Sequence, residues 1–188
     1  NGSAGFSREV EKNAPGHRCS GPLRGRKGSL WDGGHRVPFV LSWPARVAQG
    51  TKTDSLVCLG DFMATMAELL SVDLTDDMGE DSQSFLPALF GEPIQNSRNV
   101  IVHHDIGGRF SIRQGYWKLL LQKLGPEKVQ LYHLKEDLGE TKNLARKHSD
   151  KVKDLLTLLD EQVAVGRSTP GAPQKNDVPI DLWKTSGK

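Results

Sequence analysis

Three cations lie within a glycine-containing stretch near the N-terminal end of the sequence. Arg24, Arg26 and Lys27 are interspersed with Gly25 and Gly28 in "PLRGRKGSLWDGG". Glycine lets the backbone approach a ligand closely. A lysine supplies a mobile point charge, and guanidinium groups bind oxyanions in bidentate fashion. The stretch therefore predicts an anion site for sulfate, phosphate or carboxylate. The alternative from these residues alone is a solvated basic loop, because basic clusters are common on protein surfaces.

Histidines are the second set of residues with chemistry to offer. His103 and His104 end an apolar run ahead of "DIGG", and His17 lies ten residues before Lys27. A neutral imidazole can donate a hydrogen bond to a sugar or to a leaving group. Since side chains alternate across a strand, His103 and His104 should face opposite sides. The alternatives are structural roles: a solvated His17, a packed pair at the strand end, and a His35 that orients the double-glycine turn.

Composition limits what can position these residues. The chain has 188 residues, 36% of them hydrophobic and 26% charged, which suits one domain or one domain with an appendage. A net charge of +2 gives no argument for a nucleic acid or an anionic membrane surface as partner. No apolar run approaches the roughly 20 residues of a membrane span. Two cysteines make neither a disulfide framework nor a metal site.

The first 96 residues predict a loop, a strand, a helix and a connector. Residues 1–36 show little periodicity and indicate a long functional loop, in which Asp32 to Gly34 form a turn held by an Asp32–Arg36 pair. "VPFVLSW", residues 37–43, is a continuous apolar run typical of a strand covered on both faces. Apolar residues then recur at helical spacing from Leu59 to Leu70, with Asp61 near the start as a cap. A polar connector follows over residues 73–96.

Residues 97–166 favour a separate subdomain. "NVIVHH", "RFSIRQ", "WKLLLQ" and "VQLYHL" are short strand candidates separated by turn residues. Short connections predict an antiparallel four-stranded meander. A helix should follow and cover it, since Val152, Leu155, Leu156, Leu159 and Val163 lie on one stripe ahead of Gly166. Residues 167–188 form a tail rich in proline that is expected to be extended.

Two motifs carry a resemblance to the sulfatase (arylsulfatase) family. "PLRGRKGSLWDGGHRVPFVLSWPARV" resembles the family stretch L-R-G-x-K, followed by E/D-G-G-x-R-x-P and an apolar strand ending in W-P. The matching residues are Leu23, Arg24, Gly25, Lys27, Asp32, Gly33, Gly34, Arg36, Pro38, Trp43 and Pro44. "LYHLKEDLGETKNLA" resembles L-Y-D-L-x-x-D-P-x-E-x-x-N-L-A, with His133 and Leu138 departing from the usual Asp and Pro. "LGDFMATMAELL" resembles a third motif, with Ala64 in place of its proline.

The resemblance implies an α/β fold of the alkaline phosphatase type and hydrolysis of a sulfate ester. A large mixed sheet carries the active site in that family, and a smaller antiparallel sheet with a C-terminal helix packs beside it. Family members use a formylglycine made from Cys or Ser in C/S-x-P-S-R, whose hydrate attacks sulfur. A calcium ion and several cations neutralise the sulfate oxygens. Matched residues give Lys27 the role of the lysine that contacts sulfate, and Asn1 that of a calcium ligand, as the last ligand of D-N-G.

Most of the implied machinery is not matched within these 188 residues. Neither Cys19 nor Cys58 lies in a C-x-P-S-R context, so both are expected to be inert thiols, with Cys58 in the core. The chain therefore reads as the C-terminal portion of a sulfatase, inactive alone, whose nucleophile and remaining calcium ligands lie upstream. The sequence leaves open a noncatalytic truncated relative that acts as an anion-binding or structural module, and a phosphodiesterase or phosphonate hydrolase relative. Family members are often exported to the periplasm, the extracellular space or lysosomes, which extends that expectation to this chain. The sequence identifies neither the sulfate ester nor the oligomeric state.

Overall fold

The structure, a computed structural model, describes residues 20–95, 98–122 and 128–184, and these fall into two compact units. The first unit contains the described residues up to Phe39, Val102–Thr157 and the described residues from Asp181. The second contains Val40–Ile101 and Leu158–Ile180. The predicted division of the chain near residues 96 and 166 stays a prediction.

A four-stranded antiparallel sheet is the framework of the predicted subdomain. Its strands are β1 (Val100–His104), β2 (Phe110–Gln114), β3 (Trp117–Leu121) and β4 (Val129–His133), in the order β1-β2-β3-β4. Ile112 pairs with Leu119, which pairs with Leu131, and all three side chains are fully buried. Gln114 pairs with Trp117 across a two-residue turn in which Gly115 has φ +56°, a conformation that favours glycine. The sequence prediction of this sheet is confirmed.

The opposite face of the sheet packs against the N-terminal part of the chain. Leu30 is 1% exposed and forms a buried cluster with Leu120, Tyr132 and Leu134, against which Trp31 packs. Lys118, which precedes Leu119 and pairs with Tyr132, is fully buried on this same face. Leu30 and Trp31 therefore anchor the segment that follows Lys27 in the core of the first unit.

The long C-terminal helix α4 spans Ser149–Val165 and confirms the predicted apolar stripe. Leu155 and Leu159 are fully buried. In the first half of the helix, the Lys151 ammonium lies 2.6 Å from Gln114 Oε1 on strand β2, so this half lies against the sheet. The helix is followed by Gly166 with φ +72°, the conformation of a glycine C-cap.

The second unit contains the helix predicted after residue 58. It begins as a 3₁₀ turn, Leu59–Asp61, and continues as α2, Phe62–Leu69, while α3 spans Leu86–Leu89. Asp61 is 1% exposed, and its carboxylate accepts hydrogen bonds from Cys58 N (2.8 Å), Gln83 N (2.9 Å) and Arg98 Nη2 (2.7 Å). The Asp61 side chain therefore caps the backbone N–H of Cys58, three residues earlier, and fixes the start of the helix.

The predicted strand over residues 37–43 does not form, and this expectation is corrected. Phe39 is 49% exposed and Val40 is 90% exposed. An apolar run indicates a segment suited to burial, but a strand also needs a neighbour for its backbone hydrogen bonds. In the described ranges, the strands β1 to β4 pair only with one another.

The predicted turn at Asp32 is a short helix, α1, which spans Asp32–His35. None of the helices in the described part of the chain is both long and apolar enough to cross a membrane.

Candidate functional site

Lys27 lies at an exposed position in a closed turn. Ser29 N donates to Arg26 O (3.0 Å), and the Ser29 hydroxyl contacts both the backbone N–H and the carbonyl of Arg26. Gly25 and Gly28, with φ of +83° and +87°, provide the left-handed backbone on either side of the turn. The geometry thus presents the ammonium group of Lys27 on a short, hydrogen-bonded loop.

Helix α1 packs directly against this turn, and the double glycine makes the approach possible. Gly33 N donates to Arg24 O at 2.7 Å. A Cβ at Gly33 would lie 2.5 Å from the carbonyl oxygens of Arg24 and Gly25, and one at Gly34 would lie 2.3 Å from Ser29 O. No side chain fits at those distances, so the Gly-Gly pair is a steric requirement of the turn.

Arg24 serves the structure instead of presenting a free cation. Its Nη1 donates to the backbone oxygen of Glu140 (2.7 Å) and to the Tyr132 hydroxyl (3.2 Å), and its guanidinium lies 4.2 Å from the centre of the Trp31 ring. Of the three cations singled out in the sequence, Arg24 therefore joins the two motifs. The Lys27 ammonium has none of these internal partners.

A buried ionic cluster lies beneath α1 and was not predicted. Lys118 Nζ lies 2.6 Å from Asp32 Oδ1 and 2.9 Å from Glu140 Oε1, and Glu140 Oε2 accepts from Asp32 N at 2.7 Å. Lys118 and Glu140 are fully buried. The predicted Asp32–Arg36 pair is therefore wrong, because the Asp32 carboxylate points into the core, where Lys118 meets it.

The pKa values of the two carboxyl groups in this cluster shift in opposite directions. Burial opposes ionisation of Asp32, but the charge and hydrogen bond of Lys118 outweigh it and hold its pKa below the usual value. Burial raises the pKa of Glu140, which Lys118 only partly offsets. In this cluster one lysine is therefore shared by an ionised Asp32 and by Glu140, whose pKa is raised. A lysine inside the apolar run "WKLLL" was the signal that could have revealed it.

His103 and His104 are placed in different surroundings, as strand alternation predicts. The ring of His103 lies 4.6 Å from that of His35 in α1, whereas the ring of His104 lies edge-on to Phe110 at 4.2 Å. Burial, and then the neighbouring His35 and Lys118, lower the pKa of His103 to about 3. Burial followed by Lys118 also lowers the pKa of His35, so both imidazoles of that pair are neutral at pH 7.

Two polar atoms of the histidine pair are buried without a hydrogen-bond partner in the described structure: His35 Nε2 and His103 Nδ1. Beyond β1, the loop continues to the Lys27 turn, where Ile106 N donates to Gly28 O at 3.1 Å. The structure therefore brings strand β1 and its histidines beside α1 and the Lys27 turn. His17 and Asn1 lie outside the described residues.

The one residue to which the resemblance assigns calcium binding, Asn1, lies outside the described residues, so the implied calcium site stays a prediction. In residues 20–95, 98–122 and 128–184, no group of three or more His, Cys, Asp or Glu side chains is arranged to hold a metal. Cys58 is half-buried, its sulfur accepts from Arg98 Nη1 at 3.3 Å, and burial raises the pKa of its thiol. A protonated thiol is a poor nucleophile, in keeping with the predicted inert role.

Comparison with known proteins identifies the family. The family model described as N-sulphoglucosamine sulphohydrolase, C-terminal, matches residues 26–168. This chain belongs to that sulfatase family. The matched range includes the Lys27 turn, α1, the whole sheet and α4.

Individual sulfatases are similar over most of this C-terminal sulfatase domain. An N-acetylgalactosamine-6-O-sulfatase of Bacteroides thetaiotaomicron is 32% identical over 169 residues, covering 83% of this chain and 33% of the relative. A sulfatase of Formosa agariphila is 28% identical over 180 residues, covering 86% and 31%. A solved structure from work on the metabolism of multiple glycosaminoglycans by Bacteroides thetaiotaomicron is 31% identical, with a TM-score of 0.72, and covers 81% of this chain and 34% of that protein. The chain thus spans about a third of the length of these relatives.

Proposed function

We propose that this chain is the C-terminal part of a sulfuric ester hydrolase and that Lys27 contacts the sulfate group of the substrate. The observation that carries the proposal is the placement of Lys27. Lys27 is exposed and lies in a turn against which helix α1 packs. It falls within residues 26–168, the range that the sulfatase family model matches. The hydrogen-bonded turn fixes the backbone at Lys27, so only its side chain has to become ordered when sulfate binds.

Lys27 acts by stabilising negative charge on the sulfate oxygens. Charge moves over the sulfuryl group and the leaving oxygen as the ester bond breaks, and a preorganised cation lowers the energy of that arrangement. His103, His104 and His17 are proposed as substrate contacts. Because the imidazole of His103 is neutral, it can donate one hydrogen bond to the substrate, while Lys27 provides the charged contact to the sulfate.

The nucleophile and the calcium ion are proposals that rest on the family resemblance alone. The resemblance implies formylglycine in a C/S-x-P-S-R motif, which this sequence does not contain, and calcium at a site that includes Asn1. Asn1 and any residue upstream of it lie outside the described part of the chain, so both groups are assigned by the resemblance and not by contacts in the structure.

Sulfated amino sugars are the substrate class we propose. The support is the name of the Bacteroides relative, an N-acetylgalactosamine-6-O-sulfatase, and the glycosaminoglycan context of the structural neighbour. Hydrolysis of 6-O-sulfated N-acetylgalactosamine, compared with an aryl sulfate, tests the class. A preference for the aryl sulfate would count against the sugar.

The decisive experiment is Lys27→Ala in the protein encoded by the complete open reading frame. Removing one preorganised donor typically lowers turnover by about 10²–10³-fold. Arg26→Ala is the matched control, because Arg26 is an exposed cation in the same turn whose described contacts are made by its backbone. A drop of less than about threefold for Lys27→Ala would remove Lys27 from the sulfate site, whereas an equal drop for both variants would show that the turn binds the anion through its combined charge.

A second proposal is a noncatalytic, anion-binding or structural module. This alternative, which the sequence leaves open, shares the exposed Lys27 turn with the first proposal. Under this proposal the complete gene product binds sulfate through Lys27 without turning over any sulfate ester.

A further inference from the structure

We propose that Lys118 and Glu140 are positioning residues for Lys27, a role that depends on the proposed contact between Lys27 and sulfate. Neither residue reaches the surface on which Lys27 stands, since both side chains are fully buried. They act instead through helix α1 and Arg24, which are hydrogen-bonded to each other and adjoin the Lys27 turn.

Glu140 holds the turn at two points. Its carboxylate accepts from Asp32 N at the start of α1 (2.7 Å), and its backbone oxygen accepts from Arg24 Nη1 at the start of the turn (2.7 Å). Glu140 also has φ +51°, in the left-handed region that is strained for a residue with a side chain. A glycine would adopt this backbone more easily, but it would lack the carboxylate that accepts from Asp32 N.

Lys118 keeps the two carboxylates together. Its ammonium contacts Asp32 Oδ1 at 2.6 Å and Glu140 Oε1 at 2.9 Å. Without this cation, two buried carboxyl groups would face each other with no counter-ion, and repulsion between them or protonation of one would weaken the contact between α1 and Glu140. The resulting displacement of α1 would be passed to Lys27, because Gly33 N is bonded to Arg24 O and the α1 backbone leaves no room between itself and the turn.

The test measures competitive inhibition by inorganic sulfate together with turnover, in the product of the complete open reading frame. Lys118→Met should raise the inhibition constant for sulfate and lower kcat/KM by about 10- to 100-fold, because misplacement by about 1 Å is worth up to that factor. Measurements are made well below each variant's melting temperature and scaled to the folded fraction. Leu119→Ala is the matched control, since Leu119 is equally buried on the same strand but its side chain lies on the opposite face of the sheet from Lys118. It should lower the melting temperature and leave the sulfate inhibition constant unchanged.

A charge-restoring variant separates positioning from packing. Lys118→Met combined with Asp32→Asn returns the cluster to its original net charge and keeps both bonds of Glu140. It should recover a large part of the lost sulfate affinity, which repacking of an apolar site alone would not do. If Lys118→Met does not fold, Glu140→Gln decides, with an expected rise in the sulfate inhibition constant of about threefold or more.

Three outcomes are decisive. Loss of sulfate affinity in Lys118→Met with recovery in the double variant supports the positioning role. An inhibition constant within about twofold of the parent, or a shift equal to that of Leu119→Ala, overturns it. If Lys27→Ala itself leaves sulfate inhibition unchanged, the proposed function has failed, and the positioning role fails with it.

Discussion

Gly34 is the residue at which the Lys27 turn leaves least room for a side chain. A Cβ there would lie 2.3 Å from Ser29 O and 2.8 Å from Arg26 O. Gly34→Ala should therefore lower the free energy of unfolding by about 1–3 kcal/mol, the range for overpacking a filled site. Urea unfolding measures the loss. Gly60→Ala is the control, because its nearest neighbour, Cys58 Sγ, would lie at an ordinary 3.6 Å. Equal losses at the two glycines would contradict the steric argument.

His103 should make stability depend on pH in the weakly acidic range. Its pKa is about 3 in the folded protein and about 6.5 when unfolded, so between these values the unfolded chain binds the extra proton. Stability from this group is fully present above pH 6.5 and is lost as the pH falls toward 3. We expect His103 to account for about 1 kcal/mol of lost unfolding free energy between pH 6.5 and 5.5. Urea unfolding of the parent and His103→Gln at both pH values measures it. A slope that is identical in the two proteins would show that His103 does not carry the effect.

The apolar stripe of helix α4 contains residues that differ in burial and therefore in their contribution to stability. Leu155 is fully buried, whereas Leu156 is only half-buried. Leu155→Ala should cost about 2–5 kcal/mol of unfolding free energy, and Leu156→Ala clearly less, because the smaller burial leaves a smaller cavity. Chemical denaturation compares the two, with exposed Lys153→Ala expected to stay within about 0.5 kcal/mol of the parent. A loss below that limit for Leu155→Ala would place this face of the helix in solvent.

The elements and the cluster differ in how far a sequence can predict them. Strands β1 to β4 and helix α4 follow from local patterns, since turn residues separate short apolar runs and the stripe repeats at helical spacing. The Lys118 cluster joins positions 86 and 108 residues apart, and no local pattern encodes which buried charges will meet. Residues 37–43 show the opposite case, in which the pattern indicates burial but does not supply the neighbour that would pair with the backbone.

The chain as a whole should neither hydrolyse sulfate esters nor remain monomeric when expressed alone. Lys27 can bind an anion but cannot attack sulfur, and no residue lies in a formylglycine motif. Leu59, Phe62, Met63 and Leu70 are 43–70% exposed, an apolar set that favours self-association. An aryl sulfate assay with and without calcium tests turnover. Turnover that Lys27→Ala abolishes would require a different nucleophile.

Sedimentation velocity tests the association. Replacing Leu59 and Leu70 with Gln should shift the chain toward the monomer, and the same treatment of Val178, exposed elsewhere in the chain, should not. A parent chain that sediments as a monomer at tens of micromolar would contradict the expectation.

The separation of 108 positions between Asp32 and Glu140 also determines when the Lys27 turn acquires its shape during synthesis. A ribosome adds about 5–20 residues per second, so Lys27 and Asp32 precede Glu140 by between about 5 and 20 s. During that interval Leu30 has no core to enter, and Arg24 has no carbonyl of Glu140 to bind. The Lys27 turn is therefore expected to take its final shape only after strand β4 and the loop beyond it, up to Glu140, have left the ribosome.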